Sequence, residues 1–180
     1  MAPRTLPPAE YLHQCLEYEA ETGLVRWRHR PREHFATLRA YKTWNARYAG
    51  NITGHSKPKG HLYIIIDDVA WQLSRIIYKM HHLTEPKFID HKDRDPRNNR
   101  IDNLRSATLR ENNRNKVKAI GASGFTGVIQ HGKKRFRARI SDGSGKPIYL
   151  GMFDTAQEAH DAYRDAANKM FGDFSPFRNK

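Results

Sequence analysis

Between Phe88 and Asn115 the chain reads FIDHKDRDPRNNRIDNLRSATLRENNRN, with six asparagines, six arginines and one Asp-His pair, Asp90-His91, in twenty-eight residues. An aspartate carboxylate is a hard oxygen donor, an imidazole titrates near neutrality, and an asparagine amide offers a second, neutral oxygen. That combination suits hydrolysis of a phosphodiester. A hard cation sits on the phosphate oxygens while a base takes the proton from a water in line with the leaving group. Mg²⁺ is usually held by one or two protein oxygens, with water and substrate phosphate completing its shell. One carboxylate and one amide suffice. The competing reading is a polar loop over a core. Asparagine favours turns and caps, and Asp90 would then simply pair with an arginine.

The local elements decide whether these groups can meet. Phe88-Ile89 reads as a short apolar strand ending at Asp90-His91, KDRDPRNNRIDN as a loop containing Pro96, and Leu104 to Ala107 as a second strand. A helix is expected after Thr108, because Thr108 and Glu111 form the T-x-x-E of a capping box. Asn112 then falls just past the first turn. Two strands folding back bring the helix start beside the first strand, so Asp90 and Asn112 could converge on one cation with His91 as general base. Neighbours in a strand point to opposite faces, so Asp90 and His91 serve one site only if the chain bends at the loop's onset. Asn113 is the alternative to Asn112, since a boundary error of one residue exchanges them. Asp93 and Asp95 are expected in Asx turns or salt bridges. His55, His61, His81 and His82 have no partner at a metal spacing and are read as surface residues.

Upstream, GLVRWRHR alternates Leu24, Arg26 and Arg28 with Val25, Trp27 and His29, as a strand does. HLYIIIDDVAW reads as two strands around Asp67-Asp68. QLSRIIYKMHH carries Leu73, Ile76, Ile77 and Met80 at helical spacing. The first block is therefore read as β-rich. Downstream, NKVKAIGAS is basic and rich in small residues, and it reads as part of a linker over 115–123. FTGVIQ, KRFRARI and KPIYLGMF follow as three strands joined by turns at HGK and DGSGK. A closing helix is capped by Thr155 with Glu158, and Ala156, Ala159, Tyr163, Ala166 and Met170 mark its apolar face. A three-stranded antiparallel sheet packed on one helix is the expected solution.

The strand KKRFRAR holds Lys133, Lys134, Arg135, Arg137 and Arg139, five cations in seven residues. Alternation sends the three arginines away from the helix. Core packing does not call for such a row. A ribbon of this kind fits the major groove of DNA, where arginine reaches guanine edges or phosphates. The alternative is an edge kept soluble by charge. The whole chain of 180 residues has 32 Lys and Arg against 19 Asp and Glu, a formal net charge of +13. That balance points to a polyanionic partner, since each neutralised phosphate releases counterions. The single cysteine, Cys15, excludes an intramolecular disulfide and any zinc ribbon built on C-x-x-C pairs. No apolar run approaches the ~18–20 residues of a membrane span, and MAPRTLPPAEYLHQ lacks the apolar stretch of a signal peptide. The expected setting is the cytoplasm, with no membrane and no protein partner.

Asp90-His91, then Asn103-Leu104-Arg105, then Asn112, resembles the His-Asn-Asn form of the HNH nucleases, which carry a ββα-metal motif. The likeness is closest to phage- and intron-type homing endonucleases, and WRHR, AGNITG and the hairpin-helix that follows are similar to their amino-terminal half. It implies Asp90 and Asn112 as ligands of Mg²⁺ (or Mn²⁺), His91 as the base that activates water, and Asn103 as the brace of the loop. Many relatives have a His-Arg pair where this chain has Ser74-Arg75. The last block, over 123–175, resembles the Apetala or ethylene-response-factor DNA-binding domain, which lays its sheet in the major groove. Thr126 and Ile129 replace its usual arginines and Phe136 its usual tryptophan. The resemblance implies DNA contacts at Arg135, Arg137, Arg139 and Tyr149, with Lys133, Lys134 and Arg105 adding charge.

The expected fold class is α+β: a ββα-metal core over about 86–114 within a nuclease domain 1–114, a linker 115–123, and a sheet-on-helix domain 124–180. The expected function is a site-directed, single-metal endonuclease acting on double-stranded DNA as a monomer, and so a nickase. The alternatives are a catalytically silent DNA-binding regulator, or an RNA- or ribosome-binding basic protein.

Overall fold

The computed structural model describes residues 5–56, 60–116, 120–143 and 146–178. Residues 117–119 of the expected linker and 144–145 of the expected DGSGK turn lie outside the described residues. The fold is α+β, with helices beside several small antiparallel sheets. The chain divides into two compact units, Met1–Ala107 and Thr108–Lys180.

In the first unit, α1 (Ala9–Cys15) leads into the hairpin β1 (Leu16–Glu19) and β2 (Leu24–Trp27); α2 (Leu38–Tyr48) then precedes β3 (Ile52–Thr53), which joins β2. A second sheet holds β4 (His55–Ser56), β5 (Leu62–Ile66) and β6 (Val69–Gln72). The two residues between β5 and β6, Asp67 and Asp68, both have positive φ (48° and 62°), the conformation a two-residue hairpin turn requires and aspartate tolerates. Helix α3 (Leu73–His82) follows, and the ribbon of β7 (Phe88–His91) and β8 (Leu104–Ala107) completes the unit.

Alternation in β2 buries Val25 and Trp27, as the sequence pattern expects. The apolar stripe of α3 is the expected one as well: Leu73, Ile76, Ile77 and Met80 are buried together with Ile64, Ile66, Ile89 and Leu104. Ile89 and Leu104 are the inward residues of β7 and β8, so this core fixes the ribbon that carries Asp90 and His91. Each such aliphatic side chain contributes roughly 1.5–3 kcal/mol by burial.

The first block is less purely β than its strand-like runs suggest, because α1 and α2 belong to it. In α2 Asn45 is the one buried side chain among its residues, so apolar periodicity is faint; the legible signals were the cap at Thr37, whose side chain accepts from the Ala40 N–H, and the glycine just beyond its end. Asn45 is spent on backbone groups: it accepts from the Arg30 N–H and donates to the Arg30 carbonyl. The buried Arg30 guanidinium pairs with Asp67 at 2.8 Å and lies over the rings of Tyr11, Phe35 and Trp44. Burial pushes the Asp67 carboxyl up, but hydrogen bonds from Tyr11 and Arg30 outweigh it and hold it below its ordinary value. Cys15 is fully buried, and burial pushes its thiol up to about 11.

In the second unit, α4 (Leu109–Arg114) begins at a capping box in which Thr108 accepts from the Glu111 N–H and Glu111 from the Thr108 N–H. The strands β9 (Val128–His131), β10 (Arg135–Ser141) and β11 (Pro147–Phe153) form an antiparallel sheet in the order β11-β10-β9, and α5 (Ala156–Phe171) packs across it behind its own capping box of Thr155 and Glu158. Val128, Ala138 and Ile140 meet Ala159, Tyr163 and Ala167 in the core. Helix α4 falls within this unit, with Arg114 over the Phe171 ring at 4.6 Å and donating to the Asp142 carbonyl at 3.0 Å.

Gly127 opens β9 at φ +77°, and a Cβ there would lie 2.0 Å from the Tyr163 ring. Gly127→Ala therefore combines left-handed strain with overpacking against a buried aromatic, at a cost of roughly 2–5 kcal/mol. All three tryptophans, Trp27, Trp44 and Trp71, belong to the first unit. In a urea titration the far-ultraviolet circular dichroism transition of Gly127→Ala should shift to lower denaturant while the tryptophan transition stays in place. An unshifted dichroism curve would show that the ring moves aside freely.

Candidate functional site

The ribbon sets Asp90 opposite Arg105 and His91 opposite Leu104. Asp90 is 3% exposed and His91 6%. Polar groups this enclosed need partners. Asp90 has its cross-strand neighbour: Arg105 donates to Oδ2 from Nε at 2.7 Å and from Nη2 at 2.6 Å. This is the arginine pairing that the polar-loop reading anticipated, and it holds Arg105, expected on DNA, against the carboxylate. A carboxylate accepts at both oxygens, over about four lone-pair positions. A guanidinium on Oδ2 and a hard cation are thus compatible on one group.

His91 is held by an amide that the sequence reading passed over. Its Nε2 lies 3.2 Å from Asn99 Oδ1, and Asn99 Nδ2 donates to the Arg97 carbonyl, which settles which end of the amide faces the ring. An amide oxygen only accepts, so Nε2 carries the proton and the lone pair of the neutral imidazole resides on Nδ1. Asn99 is 1% exposed. Its own carbonyl accepts from Tyr18 Oη at 3.1 Å, and Tyr18 Oη accepts from the Ile101 N–H at 2.8 Å. Gly23, at φ +75°, lies against the same stretch, where a Cβ would come within 2.7 Å of the Arg100 nitrogen. The β1–β2 hairpin thus grips the loop at its deepest point. The available signal was the Asn98-Asn99 doublet.

Asn103 ties the loop's two ends. Its Oδ1 accepts from the Asp93 N–H, while Nδ2 donates to Asp93 Oδ1 and to the Asn98 carbonyl, all at 2.8–3.0 Å. Asp93 and Asp95 make the expected Asx turns, accepting from the N–H groups of Asp95 and Arg97. Burial raises the Asp93 carboxyl, but hydrogen bonds from Asn98, the Asp95 backbone and Asn103 together keep it below its ordinary value. β7 ends at His91, whose carbonyl accepts from the Arg94 N–H at 3.0 Å in a turn with Arg94 at φ +70°, so the chain leaves the strand at His91 itself.

His61 corrects a sequence expectation. Read as a surface residue, it is half-buried, its ring centroid 5.8 Å from that of His91 and its Nδ1 3.0 Å from Gln72 Nε2. Nothing in a linear spacing marks it, since thirty positions separate the two histidines. His55, His81 and His82 are exposed, as expected.

In α4, Asn112 is half-buried and Asn113 exposed, accepting from Lys116 Nζ at 2.7 Å. On β10, Arg135 and Arg139 are exposed, Arg137 is half-buried, and Tyr149 stands directly across from Arg139, 59% exposed. Lys133 and Lys134 are exposed in the β9–β10 turn. The opposite parity, Ala138 and Ile140, is buried, so the arginine row faces away from α5 as expected. Arg135 pairs with the exposed Asp154 at 3.1 Å, and Arg137 Nε is shielded from solvent with no hydrogen-bond partner among the described residues. No group of three His, Cys, Asp or Glu side chains suited to a metal occurs among the described residues. The expected set has one carboxylate and relies on amide, water and phosphate oxygens, which is Mg²⁺-like chemistry.

If Asn99 fixes the His91 tautomer, removing its acceptor matters more than its bulk. Asn99→Leu should shift the His91 ring ¹⁵N resonances, while Asn99→Asp, which keeps an acceptor, should leave them close to those of the wild type. Equal ¹⁵N spectra in the wild type and Asn99→Leu would reduce Asn99 to a packing residue.

Residues 72–114 match the family model described as HNH endonuclease. The match spans the end of β6, α3, the ribbon, the loop and α4, and so contains Asp90, His91, Asn99, Asn103 and Asn112. No curated protein and no solved structure matches the chain. Over these residues the chain is similar to the HNH endonucleases, a ββα-metal family whose members are nucleases acting on nucleic acid, generally with a divalent metal ion. No helix among the described residues is long and apolar enough to cross a membrane.

Proposed function

We propose that the protein is a single-metal DNA endonuclease of the homing type, with His91 as general base, Asp90 and Asn112 as the protein ligands of Mg²⁺, and the β9–β10–β11 sheet as its DNA reader. The observation that carries this reading is the hydrogen bond from His91 Nε2 to the buried Asn99 amide. It fixes the imidazole's orientation, with Nε2 turned to an acceptor and Nδ1 the other ring nitrogen, inside a segment similar to the HNH endonucleases. A bound cation would neutralise charge on the phosphate and activate the water. His91 Nδ1 takes one proton from the attacking water, whose oxygen bonds to phosphorus as the bond to one bridging oxygen breaks, and solvent returns a proton to the leaving oxygen. Asn103 keeps the loop, and with it Asn99 and the imidazole, in place. Joining Asn112 to Asp90 rests on the spacing of the motif, and it assigns α4 to the catalytic core.

One ββα core serves one strand, so a monomer nicks double-stranded DNA. The Apetala-like sheet, and Arg135, Arg137, Arg139 and Tyr149 on it, would add affinity to the catalytic module through effective concentration. A second reading, a catalytically silent DNA-binding regulator, is favoured by the Arg105 guanidinium on Asp90. Supercoiled plasmid and phage DNA incubated with Mg²⁺ decide between them. Nicks at reproducible positions in a run-off map, abolished by EDTA, support the endonuclease. DNA binding without nicks, with Mg²⁺ or Mn²⁺, leaves the regulator, and preference for structured RNA over duplex DNA at fixed salt would remove both.

A further inference from the structure

Beside His91 stands an imidazole that the nuclease chemistry above leaves unused. We propose that His61 is a second substrate-contacting residue, donating a hydrogen bond from Nε2 to a non-bridging oxygen of the phosphodiester attacked by the water that His91 activates. The inference rests on the nuclease reading of His91 and adds to it a residue outside the segment matched to the HNH family.

Three features place the ring. Gly60, at φ +82°, lies so close to the loop after His91 that a Cβ would fall 2.9 Å from Pro96 Cγ; the start of β5 is therefore seated on that loop. The rings of His61 and His91 then stand 5.8 Å apart at their centroids, tilted by 48°. Gln72, across from Tyr63 at the end of β6, directs its amide nitrogen to His61 Nδ1 at 3.0 Å. An amide N–H only donates, so Nδ1 accepts and the ring proton belongs to Nε2. The two histidines thus carry complementary tautomers. His91, bonded through Nε2 to an acceptor, has its lone pair on Nδ1; His61, bonded through Nδ1 to a donor, has its N–H on Nε2. One ring is set to take a proton and its neighbour, with its centroid 5.8 Å away, to give a hydrogen bond.

Such a donor aimed at charge that grows in the transition state is the most effective use of a fixed dipole near a reacting centre. A carboxylate at position 61 would repel the phosphate, and an aliphatic residue would leave the Gln72 amide without its acceptor.

The test uses the full chain and a duplex built around one nick mapped with the wild type. One version carries the native phosphate at the scissile position, the other a single methylphosphonate, which lacks the charged oxygen. In EDTA, where nothing is cleaved, the wild type should bind the native duplex roughly tenfold more tightly than the methylphosphonate duplex, and His61→Ala should bind the two within about twofold. With Mg²⁺, His61→Ala should nick the native duplex roughly 10–100-fold more slowly. His61→Gln, which restores a donor, should recover most of both effects, and matching thermal melts exclude a folding defect. A His61→Ala variant that nicks at the wild-type rate and keeps the preference for the charged phosphate overturns the proposal and leaves the role of His91 standing. A wild-type chain that makes no nick overturns the nuclease reading and this proposal together.

Discussion

His91→Ala is expected to bind duplex DNA within about twofold of the wild type while its Mg²⁺-dependent nicking falls roughly 10²–10⁴-fold. The asymmetry follows from where the side chain lies. His91 is buried at the end of β7 and bonded to Asn99, while affinity for a polyanion comes from exposed cations. Its removal deletes a proton acceptor in the transition state and little ground-state binding, so the loss belongs to kcat. The truncation also leaves the Asn99 amide oxygen without the His91 N–H, a cost of roughly 1–3 kcal/mol to the fold. His91→Asn or His91→Gln is the companion variant, since an amide can donate to Asn99 Oδ1 yet has no basic nitrogen. Nicking restored by either amide would exclude proton abstraction at this position. Loss of nicking in all three, with DNA affinity preserved throughout and thermal melts preserved in the two amide variants, separates chemistry from folding.

What the sequence disclosed and what it concealed divide along a physical line. The two capping boxes, the stripe of α3, the alternation of β2 and the parity of β10 are local patterns, set by helix and strand geometry within a few residues, and each is found where the pattern put it. The boundaries of β7 and β8 were legible for the same reason. Helix α2 was not, because it buries so little that burial never wrote a period into its residues. The site itself was legible only as a string of residue types. That Asp90 meets Arg105 depends on ribbon register, and that Asn99 rather than Asn103 touches the imidazole depends on how a loop of short polar turns folds onto Tyr18 and Gly23. His61 reaches His91 from another sheet altogether. Contacts at long sequence separation leave no spacing to read.

Removing the three cations of β10 should produce the mirror image of the His91 result. Arg135→Gln, Arg137→Gln and Arg139→Gln combined are expected to weaken binding to duplex DNA roughly 10²–10³-fold at near-physiological salt and to reduce the slope of log affinity against log salt by about 2.7, the value for three lost phosphate contacts. Nicking per bound complex should change little once protein exceeds the new dissociation constant. The fold should tolerate the changes. Arg135 pairs with Asp154 in the open, where such pairs contribute little, and Arg139 is exposed beside Tyr149. Arg137 is the informative member. Its Nε is shielded yet has no partner among the described residues, an arrangement that costs free energy in the unbound protein and that a phosphate oxygen or a guanine edge would relieve. Arg137→Gln alone should therefore cost more affinity than either neighbour alone, by roughly 1 kcal/mol. If the row were an edge kept soluble by charge, the triple variant would lose solubility while its affinity and salt slope stayed those of the wild type. Equal slopes would move DNA recognition away from this sheet and onto the first unit.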